Sequence, residues 1–255
     1  MGNMSLAKKM VIAAKKSGAD FAKFQTWSVK TLKRGPWDKD GRLQIYKKAE
    51  LTESNHKMLI KFCKKNKIQF LTSVFNVRDI GWLKKLNLKY LKIPSPEMHN
   101  IKLLKEADGN FDHIIVSTGT ATWQEIKNVK KHIRKSKLTL LHCVSAYPAN
   151  EENINLPKIL KLKKINQSIG YSGHLQGVND AIAALNYKID FIEKHFTINN
   201  NLPGRDNKFA LLPNQMKFLV DYKNSTKKMS IYHGTKFQKI ESDMRKNYRG
   251  RWENS

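Results

Sequence analysis

Two histidines lie at the ends of two consecutive strand-like runs, Ser168 to His174 and Asp190 to Phe196. If both runs belong to one parallel barrel, adjacent strand ends bring His174 and His195 to the same rim. Two converging imidazoles can hold a divalent metal. Lys23 and Lys92 sit inside other apolar strand-like runs, where a charge is costly unless it pairs or lines a wet pocket. Ser95, Ser117 and Ser172 fall at the same level and can donate to phosphate oxygens. The combination points to metal-assisted chemistry on a phosphorylated acid. Each residue also has a plainer reading. A His can cap a strand, the lysines can pair with Glu97 or Glu193, and a lone Ser at a strand end is often a turn residue.

Strand parity sharpens the assignment, because successive side chains point to opposite faces. Lys23 and Gln25 share a face, with Phe24 opposite. Glu193 and His195 share a face, with Ile192 and Phe196 opposite.

These residues need a scaffold, and strand and helix signals alternate regularly to supply it. The strand-like runs are Asp20 to Gln25, Ile68 to Val74, Tyr90 to Ser95, Ile114 to Gly119, Leu138 to Val144, and the two that carry the histidines. Helical patterns are expected over Ser5 to Lys16, with Leu6, Met10 and Ala13 near one face. More follow over Thr52 to Asn66, Val77 to Leu86, Ile101 to Ala107, Thr122 to Ser136, Leu156 to Leu162, Val178 to Asn186 and Pro213 to Lys223. Trp27 to Ala49 reads as a long loop with Gly35-Pro36 and Asp40-Gly41 turn signals. Short apolar strands alternating with helices predict a parallel sheet. No Gly-x-Gly-x-x-Gly turn follows a strand, which weakens a dinucleotide-binding open sheet. Polar residues instead end many strands, including Ser73 and Ser145, as at the catalytic rim of a (β/α)8 barrel. The count is one strand short of a barrel, and the chain begins just before a helix.

With 255 residues and 40% hydrophobic content, the chain can build one large barrel. It has no apolar run of the ~20 residues a membrane span needs. Its N-terminus lacks the apolar stretch of a signal peptide. Cys63 falls in a helical pattern and Cys143 in an apolar strand; both are expected as buried thiols in a reducing cytoplasm. The formal charge of +27 raises the possibility of a nucleic-acid partner. The lysines are spread over many helices without interleaved aromatics, so nucleic-acid binding is disfavoured. The field still attracts anionic substrates.

Motifs occur in a telling order. They are Lys23-Phe-Gln25, Lys92-Ile-Pro-Ser-Pro-Glu97, Ser117-Thr-Gly119, Cys143-Val-Ser-Ala-Tyr-Pro148, Asn155-Leu156, Gly170-Tyr-Ser-Gly-His174, Glu193-Lys-His-Phe196 and Gly204-Arg-Asp206. From about Gly2 to Leu219 the chain resembles the sialic acid (N-acetylneuraminate) synthase family, which includes legionaminic and pseudaminic acid synthases. The resemblance implies a TIM barrel that condenses phosphoenolpyruvate with an N-acyl sugar such as N-acetylmannosamine, releasing phosphate. It implies a divalent metal, manganese or magnesium, on His174 and His195. It places Lys23, Lys92, Ser95, Ser117 and Ser172 on phosphoenolpyruvate, and Gln25 and Tyr147 on the sugar side. Ser73 and Ser145 complete the expected substrate-binding set. Glu97, Glu193 and Asp206 are the expected catalytic acids. A homodimer is implied as well.

The chain departs from the family pattern in four places. Gly173 stands where the family has Asp, which removes a possible support for His174. Asn207 stands where a His is usual. The expected first-strand glutamate and C-terminal antifreeze-like domain are not found in this sequence. Residues 1–224 are expected to form the barrel, and 225–255 a basic, extended linker or tail. Three readings follow: an active synthase, a truncated homologue that binds but turns over poorly, and a basic polyanion-binding protein.

Overall fold

The computed structural model describes residues 2–36 and 40–252. Seven strands form one fully parallel sheet in chain order: β1 (Phe21–Thr26), β2 (Gln69–Val74), β3 (Tyr90–Ile93), β4 (His113–Ser117), β5 (Lys137–Cys143), β6 (Ile169–Gly173) and β7 (Phe191–Lys194). Among the described residues ten α-helices accompany them: α1 (Met4–Lys16), α2 (Arg42–Ala49), α3 (Glu53–Lys65), α4 (Val77–Leu83), α5 (Ile101–Ala107), α6 (Trp123–His132), α7 (Lys158–Lys163), α8 (Asn179–Leu185), α9 (Pro213–Met229) and α10 (Ser242–Asn247).

Local chemistry sets the starts and stops. The Asn3 side chain accepts from Leu6 N at the start of α1, and Gly18, at φ +85°, follows its end. Capping boxes at Thr52/Asn55 and Thr122/Glu125 open α3 and α6. The strands then alternate between two packed faces. Outward residues such as Val74, Leu91, Ile93, Ile114, Val116 and Leu140 form the main core under the helices. Inward Leu71, Ile115 and Leu141 join Phe21, Tyr90 and Phe191 in an apolar floor. One position further along, the inward residues turn polar: Lys23, Ser73, Lys92, Ser117, Ser172 and Glu193. Parity is as expected, since Phe24 stacks on Phe70 outside the sheet and Ile192 packs with Leu211 and Leu219.

The sheet curls until Phe21 on β1 and Phe191 on β7 have ring centroids 6.1 Å apart. Among the described residues no ladder joins β1 to β7. A cavity of about 650 Å³ runs along that seam, walled by Met10, Ala14, Phe21, Phe191, Met216 and Leu219. The barrel-like α/β architecture is therefore present, with an open seam.

The structure revises several element boundaries. The long 27–49 loop contains helix α2 as well as a 3-10 turn at Val29–Thr31. Helix α1 buries Val11 and Ala14 against β1 and α3, so its buried face is rotated from the expected Leu6–Met10–Ala13 stripe, and Met10 faces the seam. Helix α6 stops at His132, and α9 continues past residue 224 to Met229. Within the expected extended tail, α10 forms with every side chain exposed. No described helix is long and apolar enough to cross a membrane.

Candidate active site

The polar ends of β3 to β6 build a buried half of the rim. Lys92, 2% exposed, donates to Ser117 Oγ at 2.6 Å. Burial holds its ammonium below the usual lysine range, against the opposing pull of Glu193. Ser95 Oγ accepts from Gly119 N at 3.0 Å and lies 3.7 Å from Cys143 Sγ. Gly119 matters because a Cβ there would collide with Ser145 Oγ and Ser95 Oγ. The backbone is thus drawn up against the ends of β3 and β5, giving a hydroxyl- and amide-lined cradle suited to an anion.

The edges β1 and β7 build the other half. Glu193 Oε1 accepts from Ser172 Oγ at 3.0 Å and lies 3.6 Å from Lys23 Nζ and 3.7 Å from Lys92 Nζ. Burial alone would raise this carboxyl. The two lysines and the Ser172 bond outweigh burial and hold it at about 2. The lysine–Glu193 pairing, one of the plainer readings above, is therefore real. It also gathers both ammonium groups at one point inside the rim.

Above them the histidines meet, with ring centroids 5.4 Å apart. His174 Nδ1 lies 2.8 Å from the Val144 carbonyl, a bond that directs Nε2 away as a free ligand atom. Burial, Lys23 and His174 push His195 down to about 3, so its ring is neutral near pH 7. Burial disfavours a charged His174, but Cys143, the Val144 carbonyl and Glu193 together outweigh it and raise that imidazole. Tyr147 covers His174 at 4.3 Å between centroids, and Phe209 packs on His195 at 5.2 Å. Asp206 Oδ2 is 3.8 Å from His195 Nδ1, and burial raises its carboxyl. Among the described residues no group of three His, Cys, Asp or Glu is arranged to hold a metal. The donor set fits an open site in which two neutral-capable imidazoles leave other positions to water and substrate.

Over this rim opens a cavity of about 990 Å³ whose lining includes Gln44, Lys48, Tyr147, Gln176, Arg205 and Phe209. Its size suits a sugar, and its amides and cations suit hydroxyl and acyl oxygens.

The chemistry and the fold can now be set beside known proteins. The model of the NeuB family matches residues 10–235. The chain belongs to the NeuB family. This NeuB-family chain is 37% identical over 235 residues to N,N'-diacetyllegionaminic acid synthase of Campylobacter jejuni, covering 86% of this chain and 70% of the relative. It is 33% identical to the pseudaminic acid synthase of Helicobacter pylori, covering 86% and 69%. A solved N-acetylneuraminic acid synthetase from Leptospira borgpetersenii, in complex with citrate, superposes with a TM-score of 0.86 at 30% identity, covering 97% of this chain and 88% of that one. The resemblance read from the ordered motifs is borne out.

Of the residues named from sequence, Lys23, Lys92, Ser95, Ser117, Ser145, Ser172, Glu193, His174, His195, Tyr147 and Asp206 fall in one connected group around the rim. Ser73 sits beside them in register with Lys92, but its hydroxyl donates to Phe24 O at 3.5 Å. Gln25 shares their face but is exposed at the seam. Glu97 accepts from Asn100 in its own turn and makes no link to the rim group among the described contacts. Sequence reasoning treated Cys143 only as a buried thiol. In the structure its Sγ is 3.9 Å from His174 Nδ1, and its place two residues beyond inward Leu141, on the same face of β5, was the available signal. It also missed Phe209, Gln176 and Arg205, which come from irregular segments with no periodic pattern to place them, and Gln44 and Lys48, which lie on α2 in the stretch read as a loop.

Proposed function

We propose that this chain condenses phosphoenolpyruvate with an N-acyl sugar to give a nonulosonic acid and inorganic phosphate. The observation that supports it most is the juxtaposition of two gathered lysines and the Ser95–Ser117–Gly119 cradle with a histidine pair under a sugar-sized pocket. Lys92, Ser117, Ser95 and Ser145 bind the phosphate, and Lys23 and Ser172 bind the carboxylate. An incoming dianion competes with Glu193 for the lysines, so the enol is fixed in place with its methylene carbon facing the pocket. That carbon bonds to the sugar's carbonyl carbon, and the carbonyl oxygen becomes a hydroxyl. Water then adds to the former enol carbon, and its C–O bond to phosphate breaks to leave a ketone. One proton from that water ends on the new hydroxyl and the other on phosphate. Asp206, with its raised carboxyl, is the group able to move a proton on the sugar side. Glu193, held ionised, stabilises the cationic carbon electrostatically.

A divalent ion held by His174 and His195, Mn2+ or Mg2+, would supply Lewis-acid polarisation of the sugar carbonyl. The test is chelation and add-back. Protein stripped with EDTA should release no phosphate from phosphoenolpyruvate and sugar, and Mn2+ should restore release. Release that survives chelation would remove the metal from the proposal.

We also infer that the seam is the place of an eighth parallel strand outside the described residues. Two parallel edges and apolar walls on both sides support this. The same seam favours a second reading, in which the chain binds ligands but turns over slowly until that place is filled. Two buried free cysteines support a reducing, cytoplasmic setting, and the dimer implied by the resemblance belongs to the proposal.

A further inference from the structure

Directly behind the histidine pair, on the outer face of β6 and β7, lies a buried charge cluster. Lys194 Nζ donates to both Asp180 oxygens at 2.9 Å and to the Leu175 carbonyl at 2.7 Å. The Tyr171 hydroxyl donates to Asp180 Oδ2 at 3.0 Å, and Ala181 N to Oδ1 at 2.8 Å. The Lys194 and Asp180 side chains are 2% and 0% exposed, so water does not share them. A buried ion pair is not a cheap route to stability, because apolar residues of similar size serve that end as well or better. Its geometry suggests another use. Lys194 stands between Glu193 and His195, while Leu175 directly follows His174. One ammonium therefore ties the end of β7 to the loop that leaves β6.

Gly173 completes the arrangement. It is in register with Lys194, and a Cβ there would collide with Asp180 Oδ2 and the Tyr171 ring. The glycine that departs from the family pattern has therefore not left an empty place. The carboxylate of Asp180, supplied by α8, occupies the volume that a side chain at 173 would need.

We propose that Asp180 and Lys194 are positioning residues that set the spacing of His174, Glu193 and His195, with Gly173 required to admit them. Neither touches substrate. The claim about position stands on geometry; its effect on turnover rests on the synthase reading above.

The test compares D180N, K194M and the double variant D180N/K194M, which buries no net charge and serves if a single variant does not fold. Imidazole 1H–15N NMR reads the site without metal or turnover. The His174 and His195 signals should move in the folded variants while those of His113 stay in place. In the assay, kcat should fall about tenfold or more, as for groups that orient reacting side chains, while KM for phosphoenolpyruvate stays within about threefold. The double variant should recover melting temperature without recovering kcat. Unchanged His174 and His195 signals in the folded double variant would overturn the proposal, whatever the activity. If the wild-type chain shows no synthase activity, that reading alone fails, and the NMR arm still decides this one.

Discussion

The two halves of the rim are built differently. From β3 to β6, the functional side chains ride on, or just beyond, strands paired on both sides, and Lys92, Ser95, Ser117, His174 and Ser172 are all buried. On β1 and β7, Lys23, Gln25 and Glu193 ride on edge strands with His195 just beyond, and every residue of β7 is only half-buried. The closed half presents a finished anion cradle. The open half brings its charges together through the Glu193 contacts and through the Lys194 tie behind them. The lesson is that the same parallel ladder preorganises a site only where it is continuous.

The sharpest way to break this contrast is to remove one histidine. His195→Ala should lower phosphate release by about a thousandfold, the several kcal/mol that charge stabilisation at the carbonyl supplies. Activity unchanged in a folded variant would sink the metal assignment. A finer cut compares the two lysines. Lys92→Met should raise KM for phosphoenolpyruvate by about thirtyfold, matching roughly 2 kcal/mol for a charge-assisted hydrogen bond. KM for the sugar should barely change. Lys23→Met, on the half-exposed edge, should cost only about fivefold. Equal effects would mean that the seam is as well ordered as the closed half, and a larger effect on the sugar would mean that the subsites are exchanged.

The smallest effect concerns pH. Glu193 has a folded-state value depressed to about 2 from an ordinary 4.5. Its contribution to stability is therefore present above pH 4.5 and is lost as pH falls towards 2. The wild-type melting temperature should drop more steeply between pH 5 and pH 3 than that of Glu193→Gln. Parallel slopes would show that the lysine contacts do not hold in solution.

Much of this was legible in the sequence. Short apolar runs separated by helical patterns gave all seven strands, because buried parallel strands leave no other pattern. Parity put Lys23, Glu193 and His195 inside. What stayed hidden had no periodic signal. Helix α2 has a weak apolar face in a loop-like stretch. The face of α1 was misjudged because the seam leaves Met10 without a strand to cover. Lys194 pointed outward from an apolar strand, and parity could have flagged it as needing a partner. The partner Asp180 sits 14 residues earlier on another element, and only the fold brings them together.

The central claim is condensation rather than simple hydrolysis, and a single time course tests it. Phosphoenolpyruvate, Mg2+ and a panel of N-acyl hexosamines would be followed by 31P NMR, with the organic products identified by mass spectrometry. The account predicts phosphate release only when an accepted sugar is present, with one new nonulosonic acid per phosphate and no pyruvate. Pyruvate formed at the same rate with or without sugar would contradict it.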